Sequence, residues 1–143
     1  MIDQILNNGL LIAIIIRANY KNKGIEFFTP DEFSQQLAYM YRPKGYVIEP
    51  HIHIHLERKV LYTQEVLIIR SGVVRVDFYD EIQTYLQSRL LYKGDVILLA
   101  AGGHGFEFME DAEIVEVKQG PYISENDKIR FTNIKKNQVI ESL

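Results

Sequence analysis

Residues 65–118, EVLIIRSGVVRVDFYDEIQTYLQSRLLYKGDVILLAAGGHGFEFMEDAEIVEVK, decide the fold. Short runs of Val, Ile, Leu, Tyr and Phe are cut by turn residues at Ser71-Gly72, Asp80-Glu81, Lys93-Gly94-Asp95 and Glu110-Asp111. Apolar runs this short, bounded by turn formers, read as strands. They fall near 65–70, 73–79, 86–92, 96–100, 104–109 and 113–118, with one more upstream at 46–56. No gap is long enough for a crossover helix, so the sheets must be antiparallel, and so many strands in succession imply an all-β sandwich or barrel.

Upstream of these strands, Thr29-Pro30-Asp31-Glu32 reads as a helix start. Thr29 can cap, Pro30 suits the first helical position, and Glu32 can reach back to complete a capping box. This short N-terminal helix has to end before Arg42-Pro43-Lys44-Gly45, because a residue preceding proline is pushed out of the helical region. No repeat, low-complexity stretch or linker interrupts the chain, so 1–143 is expected to form one domain. The tail from Ser124 onward is polar enough to be only partly ordered.

Composition removes several classes of function. Hydrophobic residues make up 47% and charged residues 24%, the balance of a chain that folds on its own. A formal net charge of -3 with no basic run leaves no footprint for nucleic acid or an acidic membrane, and points to small-molecule partners. The absence of cysteine excludes disulfides and thiolate chemistry, so any metal must be held by nitrogen and oxygen. The longest apolar run, LLIAIII over Leu10–Ile16, is too short to span a bilayer and reads as a buried strand. Asp3 and the lack of a basic start argue against a signal peptide, and a cytoplasmic location is the default expectation. The same run, placed at a sheet edge, would pair with a second subunit, so a homodimer is expected.

The chemistry is concentrated in Glu49-Pro50-His51-Ile52-His53-Ile54-His55. On a strand this alternation puts three imidazoles on one face and two isoleucines on the other. With a rise of about 3.3 Å per residue, His51 and His53 stand roughly 7 Å apart and can share an ion, whereas His51 and His55 stand roughly 13 Å apart. His53 and His55 form a competing pair. The fourth histidine, His104, follows the run Val96-Ile97-Leu98-Leu99-Ala100 inside the glycine turn Gly102-Gly103-His104-Gly105. An alternating histidine run plus one glycine-flanked histidine is the pattern of a metal site rather than of scattered surface residues.

These residues resemble the cupin superfamily. Its first motif, Gly, five residues, His-x-His, a gap, Glu, six residues, Gly, is matched by Gly45, His51, His53, Glu65 and Gly72, with eleven residues between His53 and Glu65 where the family usually has three or four. Its second motif is matched by Gly94, Gly102 and His104. Ala100 stands in place of the motif's proline, the gap before His104 is one residue short, and no asparagine follows at the motif's distance. The resemblance covers roughly 45–118 and implies an antiparallel double-sheet jelly-roll barrel. It also implies a metal centre with His51, His53, Glu65 and His104 as ligands. Nitrogen and carboxylate donors with open positions suit one divalent ion, Fe, Mn, Ni, Co or Zn.

The resemblance further implies a metal-dependent enzyme acting on a small polar molecule, such as a sugar isomerase or epimerase or a mononuclear-metal oxygenase. A non-catalytic metal or ligand-binding module is the alternative. So is a metal-free sugar-nucleotide epimerase or ketoisomerase with His51 or His53 as base and a tyrosine as acid. Tyr39 and Tyr41, just before the histidine run, are the candidates, although ordinary packing is the better explanation for them. Arg75 and Asp77 share a strand face and read as a pocket wall or a solvated pair, Glu107 as a residue behind the site or an exposed one, and Glu57-Arg58-Lys59 as a solvated loop.

Overall fold

The computed structural model describes residues 1–121 and 128–140. Its ten strands are β1 (Ile2–Asn7), β2 (Leu10–Ile16), β3 (Gly24–Phe27), β4 (Ala38–Tyr41), β5 (Glu65–Ser71), β6 (Val73–Tyr79), β7 (Tyr85–Tyr92), β8 (Val96–Leu99), β9 (Gly103–Phe108) and β10 (Glu113–Lys118). They build a five-stranded sheet in the order β1-β2-β8-β5-β10, a three-stranded sheet in the order β7-β6-β9, and a separate β3-β4 hairpin. Every pairing is antiparallel.

The two larger sheets face each other across one apolar core. Ile12, Leu67, Ile69 and Ile97 come from the five-stranded sheet and meet Val74, Val76, Phe78 and Leu91 from the three-stranded one. A second cluster lies on the far side of the five-stranded sheet, where Ile14, Ile16 and Leu98 are covered by Leu37, Tyr20 and Phe28. Burial on both faces explains why β2 reads as an unbroken apolar run instead of an alternating one. Because β2 lies between β1 and β8, it is not an edge strand, and the dimer contact expected from it has no free edge to use.

From β5 onward the chain passes repeatedly between the layers, and two glycines make the sharpest passages. Gly72 is the single residue between β5 and β6 and has φ +76°. A Cβ there would overlap the Asp111 carbonyl oxygen and Ala112. Gly102 enters β9 at φ +68°, where a Cβ would overlap the Tyr79 carbonyl oxygen. Only glycine takes this backbone without strain, and here it also avoids a backbone collision.

Two expected elements do not form. The stretch after Thr29 is a closed loop, and no α-helix occurs among the described residues. The Thr29 hydroxyl donates to Gln36 Oε1 and accepts from the Leu37 amide at 3.2 Å, and Gln36 Nε2 donates to the carbonyls of Pro30 and Phe33. The polar groups that would cap a helix thus tie the loop to its own far end, and so short a helix would be marginal without a face to bury. Residues 42–64 form no strand either, so 46–56 lies off both sheets with Ile52 90% and Ile54 78% exposed. Alternation specifies which side chains share a face, but a strand also needs an edge to pair with. Without that strand the sheets stay open along the flank of β9 and β10, and they do not close into the expected barrel.

Of the polar tail, residues 122–127 and 141–143 lie outside the described residues. Residues 128–140 carry a short 3-10 helix at Lys136–Gln138 and dock on the three-stranded sheet. Tyr79 donates its hydroxyl hydrogen to Asn133 Oδ1 at 2.8 Å, and the Ser88 amide donates to the Ile140 carbonyl at 2.9 Å. Among the described residues, no helix is long and apolar enough to cross a membrane.

Gly72→Ala is expected to lower unfolding stability by about 2 kcal/mol or more, because strain at positive φ adds to a backbone clash. Gly9→Ala, at a turn with open space around it, should cost less than Gly72→Ala. Urea midpoints of the two variants check the ranking.

Candidate functional site

The inner faces of the two sheets meet at a polar mouth at one end of the core, where β5 and β9 begin and β10 ends. On β5, Leu67 and Ile69 point into the core, so Glu65 at the start of the strand points the same way. On β9, Phe106 packs on the core and His104 stands across from the buried Phe78, which places His104 on the inner face as well. The two side chains meet across the gap, with His104 Nε2 3.1 Å from Glu65 Oε2. Lys118, directly across from Glu65 on β10, brings its Nζ to 3.8 Å from Glu65 Oε1 and 3.7 Å from Glu116 Oε1.

The hydrogen bond from His104 holds the Glu65 carboxyl below the usual carboxylate range. Burial works against the ionised form, while the electrostatic pull of the neighbouring His104 ring and the Lys118 side chain supports it. The mouth therefore keeps an anionic carboxylate between the His104 imidazole and the Lys118 ammonium. Sequence reading passed over Lys118. The signal available for it was its place in the last strand, but recognising a partner for Glu65 required the register of β10 on β5.

The other two expected ligands form a pair of their own. His51 and His53 are exposed in the irregular 42–64 segment, with ring centroids 5.3 Å apart and nearly perpendicular planes. His51 Nδ1 donates to the Glu49 carbonyl at 3.0 Å. A proton on Nδ1 leaves the Nε2 lone pair free, the tautomer a metal ligand needs. The four residues thus fit a divalent ion in kind but stand as two pairs, and among the described residues no three His, Asp or Glu side chains converge on one point. His55 is exposed in the same segment.

The remaining candidates sort clearly. Tyr39 stacks edge-on against Tyr20, which packs on the outer face of the five-stranded sheet, so it lies away from the mouth; Tyr41 is exposed. Arg75 and Asp77 are neither pocket wall nor solvated pair. They are 4% and 0% exposed on the outer face of the three-stranded sheet. Arg75 donates Nε to Asp77 Oδ1 at 2.8 Å and Nη2 to Asp77 Oδ2 at 3.0 Å, and reaches Glu107 at 2.8 Å. Ser88 donates to Asp77, and Lys136 from the tail bridges to Glu107 at 3.1 Å. Glu107 therefore belongs to this network and not to the His104 face. Glu57-Arg58-Lys59 is exposed, as a solvated loop should be.

Comparison with protein-family models, with curated proteins and with solved structures finds no match for this chain.

In metal-free protein, Glu65 is expected to titrate below the ordinary value of about 4.3, and His104→Gln should move it back up. Since the folded-state pKa is lowered, the stabilisation from Glu65 is present near neutral pH and is lost as pH falls through that lowered value. Carbon-13 NMR titration of the carboxyl carbon measures both.

Proposed function

We propose that this chain is a metal-binding cupin that holds one divalent ion at the mouth between its sheets, with His51, His53, Glu65 and His104 as ligands. The observation that carries the reading is the meeting of Glu65 and His104. They come from opposite sheets, lie far apart in sequence, and face each other at the open end of the core. The free Nε2 of His51 supports it from the other side. For the two pairs to become one set, 46–56 has to lie along the free edge of β9, where its histidine face would share the side of His104. That added strand would also give the jelly-roll closure the resemblance implies.

A bound ion would supply Lewis-acid chemistry at coordination positions left open for water or substrate. The protein's own groups suit a small polar molecule such as a sugar derivative. Glu65 stays ionised, and Lys118 offers a donor and a positive charge to an oxygen-rich ligand at the same mouth. Isomerisation, epimerisation and oxygenation are the reactions in view, and turnover separates these from a binding module. One observation favours a second reading. With Glu65 against its ring, His104 resembles a carboxylate-oriented base, so a metal-free isomerase would use His104 and not His51 or His53.

Elemental analysis of untagged protein is expected to find about one divalent ion per chain, as a single four-ligand centre requires, with most of it lost in both His53→Ala and Glu65→Gln. No metal in the native chain would overturn the proposal and favour the His104–Glu65 base.

A further inference from the structure

Residues 43–62 form an arm that is exposed along its whole length. It makes no strand, yet it carries the large apolar side chains of Val47, Ile48, Ile52, Ile54 and Leu61 at exposures of 55% to 90%. A cluster of this kind left in water marks a contact surface. Among the sheet edges of the same chain that carry no further strand are β9 in the three-stranded sheet and β10 in the five-stranded sheet. An open edge is a template for a strand, and 46–56 has the period-two alternation of one. Edge and strand are therefore complementary within one sequence, while in the single chain they remain apart.

We propose that the occupant of the β9 edge is the arm of a second copy, so that two chains exchange residues 46–56 and each metal site is built from both. The inference rests on the metal-binding reading and adds that His51 and His53 come from one subunit while Glu65 and His104 come from the other. Mutual exchange is two-fold symmetric and closes on itself, leaving neither β9 edge free. It brings the histidine face of the arm to the side of His104 and sets Ile52 and Ile54 on the outer face of the three-stranded sheet, where Phe131 of the tail lies over Gly103. The internal hydrogen bond of His51 to Glu49 sets its tautomer within the arm, before any docking. Docking of the arm on its own β9 edge is the competing arrangement, and it predicts a monomer with the same ligands.

The test mixes two variants, Glu65→Gln with an intact arm and His53→Ala with an intact mouth, refolded together from denaturant and loaded with one metal such as Mn(II) or Zn(II). Each variant alone should bind little. Random pairing makes half the dimers mixed, each with one intact site of two, so the mixture is expected to recover about a quarter of the native metal content. Light scattering should give the mass of a dimer for the native chain. The paired substitution Ile52→Asp and Ile54→Asp, at exposed positions outside the described core, should give a folded monomer by circular dichroism. A native chain that binds metal but shows no recovery on mixing, or that is monomeric, overturns the exchange and leaves the metal reading standing. A native chain without metal overturns the metal reading, and the exchange is then decided by mass: a dimer that the Ile52 and Ile54 changes split supports it, and a monomer overturns it.

Discussion

The structure depends on the chain's passage between layers at Gly72. β5 belongs to the five-stranded sheet and β6 to the three-stranded one, and a single residue separates them. That corner holds the sheets at a separation their inner side chains can fill, and Val74, Val76 and Phe78 are fully buried against the opposite layer as a result. It also sets phase. With Leu67 and Ile69 facing inward, the period of two forces Glu65 inward at the other end of β5, and the register of β6 on β9 forces His104 inward opposite Phe78. A slip of one residue in either pairing would turn one of the two outward and dissolve the mouth.

The outer face of the three-stranded sheet is governed by a different balance. Burying Arg75 and Asp77 carries a large desolvation cost, and it is tolerable only when their hydrogen-bonding groups are satisfied. Asp77 receives two bonds from Arg75 and one from Ser88, Arg75 reaches Glu107 as well, and Glu107 is held in turn by Lys136. Tail residues complete this face, since Tyr79 binds Asn133 and Ile134 while Tyr85 binds Ile140. The tail that reads as merely polar is therefore part of what keeps a buried ion pair paired.

Strand positions from Glu65 to Lys118 were legible because apolar runs and turn residues are local signals, and each expected strand lies within a residue or so of the observed one. Leu10–Ile16 was legible as buried for the same reason. Its place inside the sheet was not, because β8, one of its partners, lies more than half the chain away. The histidine run failed as a strand for the reason that the mouth succeeded. Alternation reports which side chains share a face but says nothing of which edge will accept the strand, whereas Glu65 and His104 sit in strands whose partners lie within the same chain. Arg75 and Asp77 looked solvated because their further partners, Ser88 and Glu107, come from neighbouring strands and Glu107 is held in turn by Lys136 of the tail, with no local mark at 75 or 77.

An open flank, an unpaired alternating segment and half of a ligand set on each bear on one another energetically. In the proposed assembly the ion binds only when 46–56 lies beside β9, so metal affinity is also strand-pairing affinity, and free metal at 100 times its dissociation constant would add about 2.7 kcal/mol to the docked state. Strand addition alone carries backbone hydrogen bonds and two isoleucines against the entropy of ordering an arm of some ten residues, a balance that lies near zero. The coupling runs both ways. In that assembly, four donors split between two weakly joined segments would make a site whose occupancy decides whether the sandwich is closed. The eleven-residue gap between His53 and Glu65 supplies the slack that a permanently seated strand would not need.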